Sequence, residues 1–250
     1  MFLVGAVGDI HGPKYLYLFK NGLSSLKGNV LDDINCLFFA GDIISKGHTE
    51  DLQAVIRTID DFEVRCPLIS CFGNEEYEET HNIIREKFGS RVTFLDDESF
   101  VLNLKDDRTL GIVGSKGSLD RPTWWQSRNI PNILQIYSQR ISVIGGLLQK
   151  LKTDFKILLL HYAPTFKTLG GEGRTFYQQL GSKKLETIIS RSKPDVVIHA
   201  HAHNGRRFAL LGEIPIYNVS LPLTRTITVI KLPGFAISDS SEDNKEEYTS

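Results

Sequence analysis

The N-terminal third of the chain repeats one pattern three times. Short apolar runs at residues 2–7, 36–40 and 67–72 each end in a glycine followed by a polar residue, at Gly8-Asp9, Gly41-Asp42 and Gly73-Asn74. Each run precedes a stretch with helical spacing of apolar residues, at 13–26, 49–62 and 77–88. This βαβαβ order predicts a parallel sheet covered by helices. Because ligands bind at the carboxyl ends of such strands, the three strand ends predict one shared site.

The remaining chain alternates helices with further strands. We predict short strands at 92–94, 99–104 and 109–113, a long loop at 115–132, and a helix at 133–151. A buried strand at 155–160, a helix at 176–192 and a strand at 195–199 follow, and segments 206–211, 216–219 and 226–232 form an antiparallel set. Residues 1–237 therefore form one domain. Residues 238–250 are acidic and serine-rich, which predicts a disordered tail.

Composition excludes several classes of protein. The formal net charge is −1, which gives no electrostatic support for binding nucleic acid or an anionic membrane. The apolar runs are too short to cross a bilayer, and the N-terminus does not resemble a signal peptide. Cys36, Cys66 and Cys71 are too few and too irregular for a disulfide framework. We therefore expect reduced thiols and a cytoplasmic protein.

Polar residues that can bind metals follow five of the predicted strands. Asp42 alone could cap a helix, and His161 alone could be a hydrogen-bonded core histidine. His201 and His203 alternate at a predicted strand end, so both should point to one face. Taken together, carboxylates, an amide and imidazoles at neighbouring strand ends indicate a site for divalent metal ions.

The same five motifs, in the same order, resemble those of the calcineurin-like metallophosphoesterase family. The matching segments are Asp9-Ile10-His11, Gly41-Asp42-Ile43-Ile44-Ser45-Lys46-Gly47, Gly73-Asn74-Glu75-Glu76, His161 after its strand, and Ala200-His201-Ala202-His203. Ala200 stands where the family usually has glycine. The resemblance implies the family's α/β fold, a sandwich of two packed mixed sheets flanked by helices.

The resemblance also implies a set of ligands for two divalent metal ions. One ion would be bound by Asp9, His11 and His203, the other by Asn74, His161 and His201, and Asp42 would bridge them. Two ions held in this way clamp a phosphoryl group and supply a hydroxide near neutral pH. The mixed nitrogen and oxygen ligands suit Mn, Fe, Zn or Ni.

Position 75 departs from the family pattern, because Glu75 replaces the usual histidine that is thought to assist the leaving group. An ionised glutamate cannot donate a proton, and it repels phosphate. We expect phosphodiester hydrolysis. The alternatives are phosphomonoester hydrolysis and a metal-binding interaction module with impaired catalysis. Glu75 itself and His48 are the candidate catalytic residues, and Lys46 replaces an arginine that contacts phosphate in many family members.

The expected substrate is a phosphorylated small molecule or a nucleotide. Trp124, Trp125 and Arg128 in the 115–132 loop could stack on a base or contact phosphate. They could equally pack the loop onto the sheet or form a subunit interface. His48 and His81 match no metal motif, and both are predicted to be solvated surface residues. His199, two residues before His201, is predicted to have a supporting or structural role.

Overall fold

Two β-sheets pack face to face in the computed structural model, which describes residues 2–104 and 107–232. The strands are β1 (Leu3–Val7), β2 (Ile34–Ala40), β3 (Leu68–Cys71), β4 (Val92–Leu95), β5 (Glu98–Asn103), β6 (Thr109–Ser115), β7 (Phe155–Leu160), β8 (Val196–His199), β9 (Phe208–Leu211), β10 (Ile214–Asn218) and β11 (Thr228–Lys231). The helices are α1 (Leu16–Leu26), α2 (Asp51–Asp61), α3 (His81–Phe88), α4 (Trp124–Asn129), α5 (Ile133–Lys150), α6 (Tyr177–Leu180), α7 (Lys184–Ser192) and α8 (Leu221–Thr224). The predicted tail at 238–250 and the boundary after residue 237 lie outside the described residues.

Both sheets are mixed, as predicted. The first has the order β11-β1-β2-β3-β4, with β1 to β4 parallel and β11 antiparallel to β1. The second has the order β5-β6-β7-β8-β10-β9, with parallel pairs from β6 to β10 and antiparallel strands at both edges. A core of aliphatic and aromatic side chains fills the space between the sheets, and two more cores lie under the flanking helices. The carboxyl ends of the parallel strands of both sheets therefore lie at one end of the sandwich.

The β1 to β3 strands and the helices after them form where the hydrophobic pattern predicts. On α2, the side chains of Leu52, Val55, Ile56 and Ile59 are buried on one face against the first sheet. The first helix begins at Leu16 rather than at Pro13, because residues 13–15 form a turn after the cis Gly12–Pro13 peptide. Cys36 and Cys71 are buried free thiols and Cys66 is half-buried, as the sequence predicts for reduced cysteines.

The 115–132 segment is not a continuous loop, because it contains the short helix α4. Thr123 caps this helix: its hydroxyl accepts from the Gln126 backbone N–H at 3.2 Å, and the Gln126 side chain accepts from the Thr123 N–H at 2.8 Å. This reciprocal capping box satisfies two backbone donors at once. The prediction of an irregular segment overlooked that signature.

The predicted helix at 176–192 is wrong, because the chain breaks into α6 and α7. Gly181 pairs with Ala163 beside β7, where a side chain at position 181 would overlap the Ala163 carbonyl. The Asp120 carboxylate then accepts from the Ser182 hydroxyl at 2.6 Å and from the Lys183 N–H at 3.0 Å. These tertiary hydrogen bonds replace the helical ones at this point.

The predicted antiparallel set at the C-terminal end is also wrong in part. Strands β9 and β10 are antiparallel to each other, but β10 is parallel to β8. The last strand, β11, crosses to the other sheet and pairs with β1. No helix within the described ranges combines the length and hydropathy that crossing a bilayer would need.

Candidate metal centre

Seven candidate ligands gather where the two sheets meet, at the carboxyl ends of five parallel strands. They follow β1 (Asp9 and His11), β2 (Asp42), β3 (Asn74), β7 (His161) and β8 (His201 and His203). The last pair lies in a loop beyond β8, so the interpretation that they alternate on a strand is wrong. His201 has a left-handed backbone, with a φ of 68°, and the two rings enter different groups of ligands.

Asp9, His11 and His203 form the first group, whose nitrogen and oxygen ligand atoms all lie within 4.8 Å of one another. The His203 Nε2 lies 3.4 Å from Asp9 Oδ2, and the His11 Nε2 lies 4.0 Å from Asp9 Oδ1. Asp9 Oδ1 and His11 Nε2 are buried and have no hydrogen-bond partner among the described residues. Because unpaired buried polar atoms are costly, the two atoms fit a bound cation.

Asp42, His161 and His201 form the second group, also within 4.8 Å. The His161 Nδ1 lies 2.9 Å from the Ala40 carbonyl oxygen, which can only accept, so Nδ1 carries the proton. Nε2 then presents its lone pair to Asp42 Oδ2 at 3.4 Å and Asn74 Oδ1 at 3.0 Å. His161 Nε2, Asp42 Oδ2 and Asn74 Oδ1 therefore turn lone pairs toward one another, an arrangement that fits a cation held between them.

The Asp42 carboxylate lies between the two groups. Its Oδ2 is 3.4 Å from His161 Nε2 in the second group and 3.9 Å from His11 Nε2 in the first. Its Oδ1 accepts from the Glu75 backbone N–H at 2.8 Å, which fixes the orientation of the carboxylate. This is the position that a ligand shared by two ions would occupy.

Backbone geometry at the strand ends brings these groups together. Asp9, His11 and Asp42 all have left-handed backbones, with φ values of 56°, 44° and 51°. Such conformations are uncommon outside glycine and are concentrated at functional sites. Gly73 must be glycine, because a Cβ there would overlap the Asp42 carboxylate.

Burial sets the protonation states of the ligands. It lowers the pKa of His161 to about 4 and lowers that of His201 well below its usual value, so both rings are neutral, as metal binding requires. Burial, together with the charges of Glu76 and Asp9, raises the pKa of Asp42 well above its ordinary value. Burial alone would raise the pKa of Asp9, but the hydrogen bond from His203 and the nearby histidines lower it. A divalent cation would offset the repulsion at Asp42.

Glu76 supports the centre from beneath, a role that the sequence analysis missed. Its buried carboxylate accepts from the backbone N–H groups of Asp42 at 2.8 Å, Gly73 at 2.7 Å and Ile44 at 3.1 Å. It therefore ties the loop after β2 to the loop after β3. The only sequence signal was its place as the last residue of the third motif.

Glu75 lies at the rim of the centre. Its carboxylate accepts from the Lys46 backbone N–H at 2.7 Å, and its charge is one of those acting on His11 and Asp42. The Lys46 side chain is exposed. His48, just before α2, is also exposed and belongs to neither of the two ligand groups found among the described residues.

Helix α4 is connected to the centre through Tyr162. The Gln126 side-chain amide donates to the Tyr162 hydroxyl at 3.3 Å, and the Tyr162 ring packs edge-on against the His201 ring at 4.8 Å. Trp124 and Trp125 on this helix are 67% and 59% exposed. The Arg128 guanidinium lies 4.2 Å over the Trp124 ring.

The other two histidines are buried. The prediction that His81 is solvated was wrong: its ring stacks on Phe72 at 3.7 Å, and its nitrogens face the Asp96 carboxylate and the Glu76 carbonyl at 3.0 and 3.1 Å. His199 lies under the centre, with Nε2 2.9 Å from the Thr168 hydroxyl. The stacking contact with Phe72 and the hydrogen bond with the Glu76 carbonyl bury the ring of His81.

Comparison with known proteins shows the family to which the chain belongs. The sequence profile of the family described as calcineurin-like phosphoesterase matches residues 2–205. The chain belongs to the calcineurin-like phosphoesterase family. Family membership makes it a metal-dependent phosphoesterase, a hydrolase of phosphorylated substrates that uses divalent ions, and the two groups above are the candidate sites for them.

Solved structures show the same fold at low sequence identity. A phosphopantetheinyl hydrolase from Mycobacterium tuberculosis is 15% identical, with a TM-score of 0.59 over 87% of this chain and 88% of that one. A dimetal phosphatase from Danio rerio is 14% identical, with a TM-score of 0.55 over 92% of each chain. No curated protein sequence matches the chain significantly. The likeness to these structures supports the sandwich fold of a calcineurin-like phosphoesterase.

Proposed function

We propose that the protein hydrolyses phosphodiesters with two divalent ions, one held by Asp9, His11 and His203 and the other by Asn74, His161 and His201. Asp42 would bridge the ions. Its carboxylate faces both groups, with its Oδ2 3.4 Å from His161 Nε2 and 3.9 Å from His11 Nε2. Bound there, the ions would supply Lewis acidity and a nucleophile near neutral pH.

The preference for diesters rests on the carboxylate at position 75. Glu75 is partly exposed at the rim, and its charge acts on both Asp42 and His11. A monoester carries about one more negative charge than a diester near pH 7, so this carboxylate repels it more strongly. The hydrogen bond from Lys46 holds the carboxylate in place. Glu75 would thus select against monoesters rather than act as the catalytic acid.

The substrate would be a nucleotide or another phosphorylated small molecule. Trp124, Trp125 and Arg128 present exposed aromatic and cationic surface on a helix that is fixed to the centre through Tyr162. We propose that they contact the part of the substrate beyond the phosphoryl group. Lys46 and His48, both exposed after β2, are the remaining candidates for contacting phosphate and for assisting the leaving group.

The test compares bis-nitrophenyl phosphate with nitrophenyl phosphate on full-length protein reconstituted with Mn²⁺. Wild type should prefer the diester. Glu75→Gln should keep the metals. It should lower the ratio of diester to monoester turnover, since it removes the negative charge that repels the monoester. Glu79→Gln, which neutralises an exposed carboxylate on the same segment, is the matched control and should leave the ratio unchanged.

Three results would change the proposal. A wild-type preference for the monoester would make phosphomonoester hydrolysis the function. Two bound metals without turnover of either ester would indicate a metal-binding module with impaired catalysis. Loss of diester turnover in Glu75→Gln with both metals present would make Glu75 catalytic.

A further inference from the structure

Lys116 follows β6 and lies beside the metal centre in the second sheet. Strands β6 and β7 are parallel, with Ser115 opposite Leu160. The ladder continues past the strand ends, because the Tyr162 N–H donates to the Lys116 carbonyl at 3.0 Å. Lys116 is therefore the lateral neighbour of the candidate ligand His161.

The Lys116 side chain points to the same side of the sheet as His161. Neighbouring residues in register share a face, and successive residues alternate between faces. Ser115 points outward, where its hydroxyl donates to Asp97, which also binds Arg140 on α5 at 3.0 Å. Gly114 points inward, where a Cβ would overlap Leu95 of β4. Lys116 must then point inward, toward the opposite sheet, at the end where the ligands gather.

Within the part of the chain that the structure describes, the charge of Lys116 is not neutralised by an ion pair. The side chain is partly buried, yet its ammonium makes no ion pair or hydrogen bond with any residue in 2–104 or 107–232. Burial, together with the charge of Arg140, lowers the pKa of Lys116 from its usual value, and the carboxylates of Glu78, Asp96 and Glu76, all beyond contact distance, offset part of that effect. The charge of Lys116 is in turn among those that act on His161. A partly buried ammonium that has no ion-pair partner would interact strongly with a bound anion, because the surrounding protein screens the charge less than water does.

We propose that Lys116 is a substrate-binding residue, whose ammonium contacts a phosphoryl oxygen held at the metal centre. This inference rests on the proposed function. Lysine binds phosphate as a compact point charge, and it needs no bidentate geometry. Glu75 brings a negative charge to the rim from the first sheet, and Lys116 supplies a positive one from the second. The backbone just after β6 is held in place by Arg140, whose Nη1 donates to the Gly117 carbonyl at 3.3 Å.

The experiment measures binding of inorganic phosphate to the full-length, Mn²⁺-loaded protein by calorimetry. Lys116→Met removes the charge and keeps the length of the side chain. It should weaken phosphate binding roughly ten- to a hundredfold, the range expected for one hydrogen bond to a charged group. Lys116→Arg should stay within about fivefold of wild type, because it keeps the charge. Metal content should be the same in all three proteins.

Two additional variants make the result decisive. Lys150→Met, at an exposed position on α5, is the matched control and should bind phosphate as wild type does. Lys116→Gln is a second neutral variant, with a polar group at the end of its side chain. It is used in place of Lys116→Met if the methionine variant does not fold. An unchanged phosphate affinity in either folded, metal-loaded neutral variant overturns the inference, as does a wild type that binds no phosphate. Because binding is read directly, absence of ester hydrolysis would defeat the proposed function without deciding the role of Lys116.

Discussion

Replacing Glu76 with glutamine is the sharpest perturbation of the support beneath the metal centre. The carboxylate is 2% exposed and accepts three backbone N–H groups through its two oxygens. Glutamine has nearly the same shape but only one acceptor oxygen. If that oxygen keeps the bonds to Asp42 and Gly73, the amide nitrogen faces the Ile44 N–H, and neither group can accept from the other.

The loss of stability can be worked from these three hydrogen bonds. One buried N–H left unpaired costs about 1–3 kcal/mol, and two charge-assisted bonds that become neutral lose roughly 1 kcal/mol each. Removing a buried negative charge offsets part of this cost, since burial raises the pKa of Glu76 and its charge also raises that of Asp42. We expect a net loss of about 2–4 kcal/mol, which lowers the Tm of a protein of this size by about 5–15 °C.

The assay is thermal and urea unfolding of metal-free protein, with Glu75→Gln as the matched control. The adjacent Glu75 carboxylate accepts one strong backbone hydrogen bond and is partly exposed, so its replacement should cost less than about 1 kcal/mol. A Glu76→Gln protein as stable as wild type would refute the reasoning. So would equal losses in the two variants, because the argument depends on buried unpaired donors.

Three further predictions follow from the site. Asp42→Asn should lower the metal content of both ligand groups together, measured by elemental analysis after reconstitution with Mn²⁺ or Zn²⁺; loss from one group alone would argue against a bridge. Burial lowers the pKa of His199 from 6.5 to about 4. At pH values between about 4 and 6.5, the folded protein therefore binds fewer protons at this residue than the unfolded chain does. The free energy of unfolding should decrease as the pH falls through this range. NMR titration should show a neutral His199 ring at pH 5.5, and a midpoint near 6.5 would contradict this. Trp124 and Trp125 are the only tryptophans and are exposed, so acrylamide should quench most of the fluorescence; quenching by added AMP would support their contact with a nucleotide, and its absence would count against it.

Sequence reasoning worked best where local pattern and tertiary environment agree. The early strands and helices could be predicted because each strand is a short apolar run and each helix has one apolar face. It failed where tertiary contacts replace local hydrogen bonds. Asp120 and Ala163 interrupt the helical pattern at Gly181, and Phe72 buries the polar-looking His81.

The sequence by itself determined the β-α order of the first third of the chain and the residue types that can bind metals, because hydrophobic periodicity and motif positions are local features. The resemblance of the five motifs to the calcineurin-like family implied the family and its sandwich of two sheets. The resemblance implied how the ligands are grouped, but only the tertiary structure shows their contacts, such as that of Asp9 with His203 across the two sheets. The tertiary structure alone revealed Glu76 and Lys116. One is a buried carboxylate with three backbone donors, and the other is an ammonium without an ion-pair partner in the described ranges. Both are defined by surrounding residues that come from segments far apart in sequence.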